Sequence, residues 1–220
     1  MDQNTQKTAL VTGASRGLGA ALAEALGRRG YHVIAVARTT GGLEELDDRI
    51  RIAGGSAATL APMDINEPQA MMQLAAAIAQ RWGGLDIWAH CAIHAAPLTP
   101  AGHIDGKDWE KSFQTNATAT QNLIGLTEPL LQARNGTAII PTDPRNGQKF
   151  FAAYGATKAA QMALVESWKA ESERLGPRIL TPLPAPMPTA IRGRFFPGED
   201  RSLLSPCAIE ADRIIAEASL

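Results

Sequence analysis

The sequence predicts an α/β fold in which a doubly wound parallel sheet is covered by helices on both faces, three layers deep. Two observations carry that expectation. Short β-rich runs alternate with longer helical patterns along nearly the whole chain, as βαβ units require. The run Thr12-Gly13-Ala14-Ser15-Arg16-Gly17-Leu18-Gly19 also joins the apolar stretch Ala9-Leu10-Val11 to an Ala/Leu-rich helical pattern. At 220 residues the chain suits a single domain, residues 1–220, that buries roughly 70 to 75% of the surface its unfolded form exposes. No internal repeat or linker divides it.

In chain order, the first strand is read at Thr8 to Thr12 and the first helix at Gly17 to Arg29. The other strands are expected at His32 to Ala37, Ala57 to Ala61, Leu85 to His90, Thr137 to Thr142 and Arg178 to Leu183. Helical patterns fill the intervals at Leu43 to Ile52, Glu67 to Trp82, Lys107 to Arg134, Ala152 to Leu175 and Ala208 to Ala218. An open parallel sheet binds ligands beyond the carboxyl ends of its strands. The segments leaving those ends are Gly13 to Gly19, Arg38 to Gly42, Met63 to Asn66, Cys91 to Gly106, Asp143 to Phe151 and Pro184 to Asp200. The last is rich in proline and glycine and carries Phe195 and Phe196. It suits a lid or apolar substrate wall as well as it suits a stiff surface connection.

Composition narrows the function. A formal net charge of -1 and a pI near 6.4, with the basic residues scattered, give no electrostatic footprint for nucleic acid. A small molecule is the expected partner. Cys91 and Cys207 are far apart and match no disulfide framework, as in a reducing compartment. The N-terminal run Met1 to Lys7 is polar, and no apolar stretch approaches the ~20 residues of a membrane span. The expectation is a cytoplasmic protein without membrane or nucleic-acid partners. His90, Cys91 and His94 lack a fourth ligand at a recognisable spacing, so no metal is expected.

Two motifs carry chemistry. In the glycine run, Gly13 permits the tight turn, Gly17 lets backbone approach a phosphate, and Gly19 lets the helix pack on the sheet. The helix's first N–H groups and positive dipole end then face the anion. Far downstream, Tyr154 and Lys158 stand four apart at the start of a helical pattern, so they share one face. A nearby ammonium favours phenolate, and a phenol of lowered pKa is a usable acid or base for a carbonyl/alcohol pair.

Together, TGxxxGxG and YxxxK in this order resemble the short-chain dehydrogenase/reductase family, and the resemblance spans nearly the whole sequence. Thr189-Ala190-Ile191-Arg192 followed by Phe196-Pro197-Gly198-Glu199-Asp200 further resembles a YciK-like bacterial subgroup. The resemblance implies a Rossmann-type sheet and a catalytic set of Tyr154, Lys158 and Asn116, the last a helix-bending asparagine that positions a water in a proton relay. It also implies a cofactor surface made by Gly13, Ser15, Arg16, Gly17, Leu18 and Gly19, by Arg38, by Asp64 and Ile65, by Cys91 and Ala92, and by Tyr154, Lys158 and Thr189. Charge selects the cofactor. An NAD site offers a carboxylate to the ribose 2′-hydroxyl after the second strand, whereas here Ala37 holds that position, Arg38 follows and Arg16 lies in the turn. NADP(H) is therefore expected ahead of NAD(H), with a carbonyl or alcohol substrate of hydrophobic character.

The sequence departs from the family at four places. The family's hydroxyl donor, thirteen residues before the tyrosine, falls on Pro141. Its neighbour Thr142 is either a substitute donor or a strand-end residue capping the turn before Pro144. His90-Cys91-Ala92-Ile93 stands where relatives read Asn-Asn-Ala-Gly, and Pro184-Ala185 replaces a Pro-Gly pair. The sequence stops after the last helical pattern, so six strands are expected, without the family's seventh. That strand often contributes to dimer packing, which leaves open whether this chain forms a homo-oligomer. The leading expectation is an NADP(H)-dependent oxidoreductase. The rival is a catalytically impaired dinucleotide-binding protein acting as a sensor or assembly partner.

Overall fold

Successive residues of a strand face opposite sides of a sheet, and the apolar residues here sort accordingly. The computed structural model describes residues 6–219, so Met1 to Thr5 of the polar N-terminal run lie outside the described residues. Strands β1 (Thr8–Thr12), β2 (His32–Ala37), β3 (Thr59–Pro62), β4 (Ile87–His90), β5 (Thr137–Ile139) and β6 (Arg178–Leu180) form one parallel sheet. Their order is β3-β2-β1-β4-β5-β6, the doubly wound Rossmann arrangement expected from the sequence.

Helices α1 (Gly17–Arg28), α2 (Thr40–Ile52) and α8 (Cys207–Glu217) cover one face. Ala9, Val11, Val33, Ala35, Ile87, Ala89 and Ile139 point into that core. The alternate residues Leu10, Ile34, Val36, Trp88 and Ala138 point to the other. There they meet α3 (Pro68–Trp82), α5 (Ala119–Gln132) and α6 (Ala152–Ser172). Pro68 opens α3 at a position where no backbone N–H is needed. No helix among the described residues is long and apolar enough to cross a membrane.

Several boundaries are corrected by hydrogen bonding. β5 and β6 are half the expected length because Pro141 and Pro182 have no N–H for the ladder. Pairing continues only at alternate residues, from Ile140 N–H to Leu180 O (2.9 Å) and from Thr142 N–H to Pro182 O (2.8 Å). β3 starts at Thr59 because the Ala58 N–H is bound by the Asp47 carboxylate at 2.7 Å. β4 starts at Ile87, since the Leu85 N–H is taken by Leu130 O.

The long helical pattern Lys107 to Arg134 is not one helix. It runs as α4 (Gly106–Phe113), a π turn at Gln114–Thr118, and α5. α6 ends at Ser172, leaving Leu175 exposed rather than helical. Within Pro184 to Asp200 lies an unanticipated short helix, α7 (Ala190–Phe195), which Thr189 opens by accepting the Arg192 N–H at 3.2 Å.

Ile34 lies in the second core with no exposed surface. Ile34→Ala is expected to lower stability by about 2–5 kcal/mol, read as a lower urea midpoint at unchanged slope. A midpoint indistinguishable from the parent protein's would contradict this packing.

Candidate active site

The crevice opens where β1 and β4 lie side by side. Gly13 leaves β1 with φ +74°, and a Cβ there would stand 2.6 Å from Ala92 N and 2.7 Å from Cys91 C, on the chain leaving β4. The two exits touch backbone to backbone, which no residue with a side chain permits. A Cβ at Gly19 would lie 2.3 Å from Gly13 O, so α1 sits directly on the turn. No side chain caps the start of α1, so its first N–H groups and positive dipole end front an open cradle suited to a pyrophosphate.

This cradle is one end of a cavity of about 520 Å³. Every residue expected at the site lines it, with the single exception of Asn116. At the other end Tyr154 and Lys158, one turn apart on α6, are both buried.

The electrostatics of Tyr154 are the reverse of those expected. Burial raises its pKa, and the Asp143 carboxylate raises it further by its charge and by accepting the phenol's hydrogen bond (3.0 Å to Oδ2). The Lys158 ammonium is directed elsewhere. Its Nζ donates to Pro141 O and to Gln161 Oε1, each at 2.6 Å. Burial brings Lys158 down to about 8, against the favourable charge of Asp143.

Behind Lys158 runs a buried chain of polar side chains. Gln161 Nε2 donates to Thr120 Oγ1 at 2.8 Å, and Thr120 Oγ1 donates to the Asn116 carbonyl at 2.9 Å. His90 bridges Thr120 (Nε2, 2.9 Å) and Thr12 (Nδ1, 2.7 Å). Because the Thr120 proton lies on Asn116 O, His90 must donate from Nε2 and accept from Thr12 at Nδ1. Burial, with the Lys158 charge adding, brings His90 down to about 3, so it stays neutral. Both of its ring nitrogens are thereby engaged. Burial pushes the Cys91 thiol up to about 12, which leaves it protonated and inert.

Asn116 sits in the π turn, fully buried. Its side chain brackets the His94 backbone, accepting from N (2.7 Å) and donating to O (2.8 Å), and donates to Thr157 Oγ1 at 3.0 Å. It therefore anchors the chain leaving β4 from behind the cavity wall. Gln161 and Thr120 link Lys158 to the Asn116 carbonyl through their side chains. Thr142 lines the cavity with its backbone N–H spent on Pro182. Asp64 accepts the Asn66 N–H at 3.0 Å, a turn bond, and lies 3.9 Å from the Arg38 guanidinium. Arg38 is 60% exposed at its side chain and lines the cavity beside Arg16.

Sequence reasoning missed Asp143, Arg145 and Gln161. Asp143 lies in a segment singled out as leaving β5, and no motif marks it. Its Oδ1 is held by Arg145 Nε at 2.9 Å. Beyond them Phe195 packs edge-on against Tyr154 and Phe151, both at 4.9 Å between centroids. With Ile93, Leu98, Ile191 and Phe196 these rings make an apolar wall. Gly19→Ala is expected to push α1 off the turn. Thermal denaturation should occur at least several degrees lower than in the parent protein, and an unchanged melting temperature would contradict the close approach.

The chain matches the family model for short chain dehydrogenases over residues 7–200. It is 29% identical over 190 residues to a glycine betaine reductase of Emericella nidulans, covering 85% of this chain and 15% of that protein. It is 34% identical over 158 residues to an uncharacterized oxidoreductase of Mycobacterium tuberculosis, covering 70% and 59% respectively. The chain thus spans less than two thirds of the length of either relative. Among solved structures, the Escherichia coli oxidoreductase yciK superposes with a TM-score of 0.86 at 26% identity, over 97% of this chain and 91% of that one. A Shigella flexneri short chain dehydrogenase complexed with NADP gives 0.85 at 26% identity, over 94% and 89%. The glycine turn, the paired Tyr154 and Lys158, the strand order and these similarities agree: the chain belongs to the short-chain dehydrogenase/reductase family and is similar to its YciK-like members.

Proposed function

We propose that this chain is an NADPH-dependent reductase that interconverts a small carbonyl compound and its alcohol. The observation that carries the reading is one cavity with a glycine-turn anion cradle at one end and a buried Tyr154–Lys158 pair at the other. Ala37 places no carboxylate at the end of β2, and Arg16 and Arg38 supply cations fit for a 2′-phosphate. Solved relatives from Shigella flexneri and Escherichia coli are complexed with NADP and NADPH.

When bound, the nicotinamide supplies the hydride. The protein's part is to bind, orient and move a proton. Gly13, Ser15, Gly17, Leu18 and Gly19 would cradle the pyrophosphate, with Asp64, Ile65, Cys91 and Ala92 along the adenosine side and Thr189 near the nicotinamide. Lys158 has three N–H donors and spends two on Pro141 and Gln161, which leaves one for a ribose hydroxyl. Tyr154 would give its phenolic proton to the carbonyl oxygen as the carbon is reduced. Thr142 is the candidate for a second donor to that oxygen. Asn116 would act through the bonds that fix His94 and through its carbonyl. The wall of Phe195, Phe196 and Ile93, with Leu98 packed against the same cluster, suits a substrate with an apolar body.

A screen of aldehydes, ketones and secondary alcohols followed by NADPH absorbance tests the activity. Tyr154→Phe is expected to lower kcat by about 10² to 10⁴-fold while NADPH binding, measured by calorimetry, stays nearly intact. NADPH should bind more tightly than NADH. Undiminished turnover in Tyr154→Phe would remove the mechanism, and tighter binding of NADH would overturn the cofactor assignment.

A further inference from the structure

The hydrogen bonds around Lys158 raise a question that the reductase reading leaves open, namely by what route Tyr154 recovers its proton. On the inner side, Gln161 turns its oxygen to the ammonium, because Lys158 can only donate, and so turns its NH2 to Thr120. Thr120 Oγ1 then accepts from both Gln161 and His90 and spends its own proton on the Asn116 carbonyl. Every donor in this chain points the same way, and the chain ends on a main-chain oxygen. An amide does not exchange protons readily at neutral pH, so the Gln161 side chain is not itself a carrier of protons from Lys158.

The outer side is built differently. The Tyr154 hydroxyl donates to Asp143 Oδ2 at 3.0 Å, and the Asp143 side chain is 29% exposed and lines the cavity. Arg145 holds the other oxygen at 2.9 Å and fixes the carboxylate's orientation. Arg145 is itself seated over the Phe151 and Phe196 rings, 5.4 Å from each centroid. The charged groups acting on this carboxylate are therefore Arg145 on its own loop, Lys158 on α6 and Arg192 on α7. Its proton-bearing neighbour is the phenol.

Resting on the reductase reading, we propose that Asp143 is a further catalytic residue, the carboxylate that carries protons between the Tyr154 phenol and solvent. In reduction, the Tyr154 O–H bond breaks as the product O–H bond forms, leaving phenolate. Asp143 takes a proton from hydronium or a buffer acid and passes it to the phenolate, which returns Tyr154–OH and the carboxylate. In alcohol oxidation the same proton runs outward, from alcohol to Tyr154 and from Tyr154 to Asp143 and water. No electrons move in this relay; the hydride pair stays in the C–H bond made or broken at carbon. The flanking Arg145 offsets the carboxylate's charge beside the substrate oxygen.

The test uses Asp143→Asn, Asp143→Ala and the parent protein. On a carbonyl substrate turned over by the parent, both variants are expected to lose about tenfold or more in kcat with little change in the NADPH dissociation constant. Added formate should restore turnover to Asp143→Ala, while chloride at equal ionic strength should not. Independently of turnover, ultraviolet titration of the phenols, with Tyr154→Phe used to separate Tyr154 from Tyr31, should show the Tyr154 midpoint falling by one unit or more in Asp143→Asn. Removing an adjacent negative charge favours phenolate, which sets that sign. Variants as fast as the parent or faster, absence of formate rescue, or an unmoved phenol midpoint would each overturn the proposal. A parent protein that binds NADPH but reduces no carbonyl would remove the reductase reading and this inference with it; an active parent with unaffected variants would remove Asp143 alone.

Discussion

One ammonium group placed in the protein interior organises the structure around it. A buried cation is tolerated only if its protons find acceptors, and for Lys158 these are a main-chain oxygen at the end of β5 and the Gln161 side chain. Gln161 then needs an acceptor for its own NH2, which is Thr120 on α5. Thr120 in turn meets His90 at the end of β4, and His90 meets Thr12 at the end of β1. A single charge thus ties α6, α5 and three neighbouring strand ends together at the mouth of the crevice. The apolar layers supply bulk stability, whereas this chain sets the relative position of the elements that form the site.

The cavity's outer wall is fixed by a second set of contacts. Phe196 meets two guanidinium groups, Arg192 at 4.1 Å and Arg145 at 5.4 Å from its ring centroid. Arg192 is paired with Glu199 and Arg145 with Asp143. The segment after β6 is also anchored to α8, through the Ala185 N–H on Glu210 (3.1 Å), and Ser205 N–H returns to Pro186 O at 3.0 Å. The Thr189 to Arg192 and Phe196 to Asp200 stretches that resemble the YciK-like subgroup are therefore two halves of one ion-paired loop. It closes over the phenol through Phe195. Rigid aromatic faces beside an oriented phenol give the apolar end of a substrate a place to lie while its oxygen meets Tyr154.

The fold was legible because its signals are local. β1 and β2 have the expected bounds, since β1 is buried throughout and β2 from Val33 onward, and the glycine turn announces the β1–α1 junction. The strand ends near the site were read less well. Prolines 141 and 182 remove ladder donors, and their effect depends on which residue they face across the sheet. The break between α4 and α5 falls where the resemblance marks Asn116 as a helix-bending residue, although no glycine or proline signals it; there Asn116 bonds to His94 and Thr157. At the site, residue types could be matched to roles, but the direction of each bond could not. Lys158 was expected to acidify Tyr154, and the sequence contains nothing to say that Asp143 would reach the phenol first. The polar chain of Gln161, Thr120 and His90 joins positions scattered over the whole chain, and only folding reveals them as neighbours.

The buried ammonium is the element on which the site's arrangement depends, and its protonation can be observed directly. Nitrogen-15 NMR titration of lysine side chains, with Lys158→Met used to identify the signal, should show Lys158 titrating near 8. Burial destabilises the charged form, so the midpoint must lie below that of an exposed lysine, about 10.4. A midpoint at the exposed value would mean that the group lies in water, and the chain of bonds from Lys158 to Thr12 would not exist as described.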